Sequence, residues 1–279
     1  MESNNKSIGI LYICTGPYSL FWDDFYSTFE KHFLKNTQKK YFVFTDSEEI
    51  EQSERIKVIK ITNQPWPLIT LLRFRTFLTV EEDLAQCDYI MFSNANIICD
   101  MDIKEEAFLP QGKDQIFVTA HPGYYGKSII DFPYERNKNS LAYVPWNCGN
   151  DYVIGAMFGG TNKGFLDLCR TLNYNIEEDL KKNIIAKWHD ESHLNRYIIG
   201  RDDIKVLPPE YCYPYGMNVE YPKRISAVSK QEKFDVKAFK GQYDVNQSKA
   251  RKIAGYVKRH LKLKEHTHYI CDLVMGKKV

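Results

Sequence analysis

Five short apolar runs, each followed by polar or turn-forming residues, constrain this chain more than any other feature. Residues 8–14 run into Thr15-Gly16-Pro17, and residues 41–45 (YFVFT) are closed by Asp46-Ser47. Residues 56–61, 89–93 (YIMFS) and 116–120 follow in the same manner. Short apolar runs bounded by turn signals suit strands buried on both faces. Between them lie stretches with helical spacing: Phe21, Phe25, Phe29 and Phe33, then Leu68, Leu71, Leu72, Arg75 and Leu78 across residues 68–84. Strands that alternate with helices predict an α/β fold with a largely parallel sheet and crossover helices. Ligands of such sheets sit beyond the carboxyl ends of the strands, which puts residues 14–18 and 94–96 on one rim.

Composition enters where it limits function. Hydrophobic residues make up 43% of the 279, enough for a real core. The 19 Tyr, 16 Phe and 4 Trp are an unusual load. Aromatic faces stack on sugars and bases, although any single ring is as well explained by the core. The net charge of +2 hides an asymmetry: residues 1–229 hold 25 Lys+Arg against 31 Asp+Glu, and residues 230–279 hold 13 against 5. We therefore expect one domain over 1–229 and a basic C-terminal segment over 230–279. In that segment Ala250, Ile253, Ala254, Val257 and Leu261 follow helical spacing, with Lys249, Arg251, Lys252, Lys258, Arg259 and Lys262 around them. Such a helix suits either an anionic membrane surface or a solvated face. Nucleic acid ranks last, because no binding motif accompanies the charge.

Seven cysteines, an odd number with no Cys-x-x-Cys pair, read as reduced thiols of a cytosolic protein. The polar start MESNNKS is no signal peptide, and no apolar stretch approaches the roughly 20 residues of a membrane span. The expected location is the cytoplasm, with peripheral contact at the inner face of the membrane through the basic segment.

Three stretches carry candidate chemistry. Asn94-Ala95-Asn96 directly follows a buried strand; neutral amides are poor ligands for a hard cation but can bond sugar hydroxyls. Taken alone, Asn-x-Asn is a turn. Trp188-His189-Asp190-Glu191-Ser192-His193 puts adjacent carboxylates beside an aromatic, suited to orienting a sugar and stabilising positive charge at its anomeric carbon. His189 and His193 have the spacing of two metal ligands, yet His-Glu-x-x-His is absent, and a charged surface turn explains the stretch as well. Residues 152–160 (YVIGAMFGG) are small enough to let a backbone approach a ligand closely. No Gly-x-Gly-x-x-Gly follows the first strand, which argues against a nicotinamide enzyme.

Taken in order, LYICTGPY, YFVFTDS, WPLITLLRF, FSNANI, TAHPGYYG, PYERNKNSLAYVP, YVIGAMFGG and WHDESHLNRY resemble the family 6 glycosyltransferases, which include the ABO blood-group transferases and bacterial relatives. The resemblance runs from about Leu11 to Tyr215. It implies a GT-A fold, with a Rossmann-like nucleotide-binding half joined to an acceptor-binding half. It also implies a retaining α-1,3 transfer of galactose or N-acetylgalactosamine from UDP to a galactose-type acceptor, often a fucosylated one, on a bacterial surface glycan. Carried over by position, Tyr12, Cys14 and Tyr18 would line the uridine pocket, and Arg73, His189 and Asp190 would hold the donor sugar. Asn94 and Asn96 would lie near ribose and diphosphate, His121 and Trp188 at the acceptor, and Glu191 would be the catalytic carboxylate.

Two departures matter. The mammalian Asp-x-Asp is Asn94-Ala95-Asn96 here, as in a bacterial branch that works without a divalent metal, so no cofactor is expected. Lys230, with Lys233 in reserve, would then offset the charge of the leaving UDP. Pro133 replaces a threonine near the acceptor, which leaves acceptor identity open. Ile154 and Ala156 match the donor-selecting positions, and their bulk leans towards galactose. The alternatives are a retaining GT-A transferase of another family and a non-catalytic sugar-nucleotide binder.

Overall fold

The computed structural model describes residues 6–239 and 263–276. A seven-stranded sheet runs in the order β3-β2-β1-β4-β7-β6-β8. The five apolar runs become β1 (Ser7–Ile13), β2 (Gln38–Thr45), β3 (Ile56–Lys60), β4 (Tyr89–Asn94) and β6 (Ile116–Ala120); β5 (Ile97–Cys99) lies outside this sheet. β1 pairs in parallel with β2 and β4, and β2 with β3, the arrangement that crossover helices enforce. The remaining strands are β7 (Val153–Thr161) and β8 (Ile204–Leu207). β7 runs antiparallel between β4 and β6, and β8 is parallel to β6.

β7 escaped the strand reading because glycines carry no strand signal. Packing requires them: a Cβ at Gly159 would collide with the Ile90 carbonyl and the Phe117 ring, and one at Gly160 with the Gln115 carbonyl. Two apolar layers clothe the sheet. On one side α1 (Trp22–His32) lays Phe25 and Phe29 against Tyr12 and Tyr41. On the other, Phe74, Phe77, Phe158 and Phe165 form a second aromatic layer.

The single helix expected over residues 68–84 is three pieces, α2 (Leu68–Leu71), α3 (Arg73–Leu78) and α4 (Glu81–Leu84). Leu72 (φ −93°, ψ 12°) and Val80 (φ −123°, ψ 25°) leave the helical region. The first break lies immediately before Arg73, whose buried guanidinium turns to backbone carbonyls and a carboxylate. The other helices are α5 (Glu105–Phe108), α6 (Asn162–Lys181), α7 (Asp190–Ile198), α8 (Val236–Phe239) and α9 (Leu263–Val274).

β9 (Ile225–Ala227) pairs antiparallel with β5, and this returns residues 230–239 to the body. Phe234 packs on Tyr18 with ring centroids 5.1 Å apart, and Lys233 meets Asp24 at 3.1 Å. The basic helix expected over residues 250–261 lies outside the described residues. All seven cysteines are free. No described helix is long and apolar enough to cross a membrane.

Candidate active site

A cavity of about 150 Å³ opens where β1 and β4 end. Ile13 and Thr15 line it, whereas Tyr12 and Cys14 are fully buried and face the opposite layer with Ile8 and Ile10. Side chains on a strand alternate, so these neighbours in sequence serve different faces. Tyr12 acts on the rim through its hydroxyl, which donates to the Ala95 carbonyl at 3.1 Å. Burial pushes the Cys14 thiol up to about 12, so it is neutral. Tyr18 does line the cavity, with the Lys230 ammonium 5.3 Å from its ring centre.

Gly16 has φ +55°, a left-handed conformation that favours glycine, and a Cβ there would meet the Phe239 ring at 2.7 Å. Its N–H donates to Asp46 at 2.7 Å, and Thr15 donates to Asn63 at 2.9 Å. Asn94 closes β4 and lines the cavity with Asn96. The Asn96 amide also donates to the Val228 carbonyl at 2.8 Å, tying down the strand that delivers Lys230. Asn63, Gln64 and Phe239 complete parts of the wall that no motif announced, and Trp66, the first residue of WPLITLLRF, joins them.

At the inner wall Arg73 is buried with its guanidinium 4.5 Å from the Phe92 ring centre. Its Nη1 donates to the Gly155 carbonyl at 2.7 Å, and its Nε stands 3.1 Å from Asp190 Oδ2. Asp190 and Glu191 open α7, where the helix dipole favours negative charge. The Glu191 carboxylate accepts two hydrogen bonds, from the Tyr152 hydroxyl and the Gly155 N–H, both at 2.8 Å. Gly155 thus bonds Arg73 through its carbonyl and Glu191 through its N–H. A Cβ at Gly155 would lie 3.3 Å from both Asp190 Oδ2 and Glu191 Cβ. The small residues of this stretch admit the protein's own carboxylates to the strand.

Comparison with known proteins shows the family. Residues 1–265 match the sequence profile described as Glycosyltransferase family 6. The chain belongs to this family. It is 39% identical over 215 residues to the O-antigen biosynthesis glycosyltransferase WbnI of Escherichia coli, covering 76% of this chain and 90% of that protein. It is 31% identical over 218 residues to the histo-blood group ABO system transferase 2 of Rattus norvegicus, covering 75% and 64%. It is 28% identical over 218 residues to the globoside alpha-1,3-N-acetylgalactosaminyltransferase 1 of Gallus gallus, covering 75% and 62%. The chain spans less than two thirds of these last two relatives.

In this glycosyltransferase the two carboxylates are not equivalent. Burial raises both; Asp190 reaches about 6 against the pull of Arg73, and Glu191 about 7 against the hydrogen bonds from Gly155 and Tyr152. Their positions on β7 and α7 depend on a bulge. Val118 pairs with Phe158, but Thr119 pairs with Ile154, so residues 155–157 bow out of the ladder. Ile154, still paired with Thr119, and Ala156, within the bow, flank Gly155.

His121 stands beside Tyr124 and Tyr152, with ring centroids 4.9 and 5.7 Å away. Burial pushes its pKa down to about 4, and its Nδ1 accepts from the Gly123 N–H at 3.0 Å. At neutral pH the ring is therefore uncharged with its proton on Nε2. Trp188 is 46% exposed, and His189 (φ +55°) packs against Trp66 at 5.0 Å. His193, the second of the spaced histidines, is buried 3.7 Å from Asp179.

Proposed function

We propose that this family 6 member transfers galactose or N-acetylgalactosamine from UDP to the 3-hydroxyl of a galactose-type acceptor, retains the α configuration and needs no divalent metal. The observation that carries the reading is the Glu191 carboxylate, held by two hydrogen bonds beside the Arg73–Asp190 pair. In this mechanism the uracil and ribose fill the cavity between Tyr18 and Asn94, and the diphosphate faces Asn96 and Lys230. Asp190 accepts hydroxyls of the donor sugar while Arg73 offsets its charge. As the bond to UDP lengthens, positive charge grows at the anomeric carbon, and Glu191 stabilises it from a site with little water. Attack by Glu191 to give a covalent glycosyl intermediate uses the same placement. His121 offers its Nε2 proton as a hydrogen bond to the acceptor, and Trp188 supplies an apolar face.

Support for metal-free transfer comes from the donor set itself. Asn94 and Asn96 are neutral amides, and Asn96 spends a donor on Val228. Lys230 is a cation at the same wall. For the donor, the methyl of Ala156 and the branch of Ile154 favour galactose modestly, since one methylene-sized change is worth about 1–3 kcal/mol.

The test is turnover in chelator with each UDP-sugar, on fucosylated and plain galactosides. We expect an α-1,3-linked product from UDP-galactose without added metal. Absolute dependence on Mn²⁺, or an inverted product, would overturn the reading; UDP binding with no turnover on any acceptor would favour a sugar-nucleotide binder.

A further inference from the structure

Helix α9 is amphipathic in the reverse sense. His268 and Asp272, one turn apart, face the protein. Asp272 is 4% exposed and accepts the Trp146 N–H at 2.9 Å, and the His268 ring stacks on Trp146 at 5.7 Å and 11°. The same helix packs against the turn Ile129–Asp131. At 3.6 residues per turn, Ile270, Leu273 and Val274 lie on the opposite side. They are 59%, 53% and 82% exposed.

A surface helix ordinarily turns its apolar stripe inward and its polar residues to water. An outward ridge of three branched aliphatic residues instead marks a surface that something apolar covers. Charge selects the partner. Residues 230–279 carry 13 Lys+Arg against 5 Asp+Glu, and in sequence Lys277-Lys278 come after Met275-Gly276, which follow α9. Exposed Lys127 stands just before the turn on which α9 rests. A second copy would carry the same excess of positive charge. A bilayer with anionic headgroups matches both properties, taking the aliphatic ridge at the acyl boundary and attracting the segment's net positive charge.

We propose that the Ile270–Leu273–Val274 ridge seats the protein on an anionic membrane surface. The ridge faces away from the docked side of α9, so seating leaves the Trp146 contact intact. None of the three residues belongs to the catalytic site.

The experiment is co-sedimentation of the full chain with vesicles of phosphatidylcholine, alone or with about one third phosphatidylglycerol. We expect binding to the anionic vesicles, weak binding to the neutral ones, and a loss of at least about tenfold in I270E/L273E/V274E. The variant should keep the wild-type thermal midpoint and UDP binding, which separates this outcome from any failure of the catalytic reading. No sedimentation with anionic vesicles, equal binding to neutral ones, or wild-type binding by the variant would overturn the proposal. So would a concentration-dependent dimer in sedimentation velocity that the variant abolishes, because a second copy would then cover the ridge.

Discussion

Glu191 sits where burial opposes its charge, and that opposition makes it testable. Its pKa, raised to about 7, means that the folded protein holds a proton which the unfolded chain has released. Its contribution to stability is therefore fully present below the ordinary carboxylate range and is lost as pH rises through about 7. Replacing Glu191 by Gln should raise stability above pH 7, by on the order of 1–3 kcal/mol, and change little near pH 4. The amide oxygen can still accept from Gly155 while its nitrogen donates to the Tyr152 oxygen. Turnover should fall by about 10²-fold or more. Thermal melts at several pH values, with a donor assay, check both halves; a variant equally stable and fully active at pH 8 contradicts them. Tyr152→Phe removes one bond to the charged form and leaves Gly155, Asp190, Arg73, Tyr124 and Cys212 around the carboxylate. The acid limb of kcat/KM should move to higher pH, with a loss of about tenfold at pH 6 and less at pH 8. A pH-independent loss would mean that the tyrosine serves packing alone.

Among the elements, the bulge in β7 has the most consequence. It lets a strand otherwise locked by Gly159 and Gly160 against β4 and β6 present Gly155 to Arg73 and both carboxylates. Gly155→Ala should cut activity by about 10²-fold while circular dichroism stays native, since a displacement of a fraction of an ångström is felt at the reacting centre. Ala156→Gly, at the middle of the bow, should raise the ratio of N-acetylgalactosamine to galactose transfer by about tenfold. Competition between the two UDP-sugars measures it, and an unchanged ratio would remove Ala156 from donor selection. The broken helix α2–α3 belongs with the bulge, because the Arg73 it delivers donates to the Gly155 carbonyl.

Across the whole molecule, the chain closes on itself through β5 and β9. The Asn96–Val228 hydrogen bonds hold the returning strand, and from a part of the sequence far from β1 Lys230 and Phe239 reach the cavity while Phe234 packs on Tyr18. Asn96→Ala should thus weaken UDP binding by about tenfold through loss of that tether, and Lys230→Ala by a comparable factor that shrinks as salt rises. Calorimetry at two ionic strengths distinguishes them. If Lys230→Ala binds UDP as tightly as wild type in low salt, another group offsets the diphosphate.

The five strands read from apolar runs, the rim at residues 14–18 and 94–96, and the family were legible in the sequence. Apolar runs, turn residues and a chain of specific motifs are local properties, and local properties survive without coordinates. Which of two neighbouring side chains faces the cavity was not legible: Ile13 and Thr15 line it while Tyr12 and Cys14 do not, because facing depends on how β1 sits between two layers. Nor did any motif announce Tyr152 or Gly155 as partners of Glu191, 39 and 36 residues away in sequence. Only the packing of α7 against β7 brings those donors to the carboxylate, and with them the burial that sets its charge.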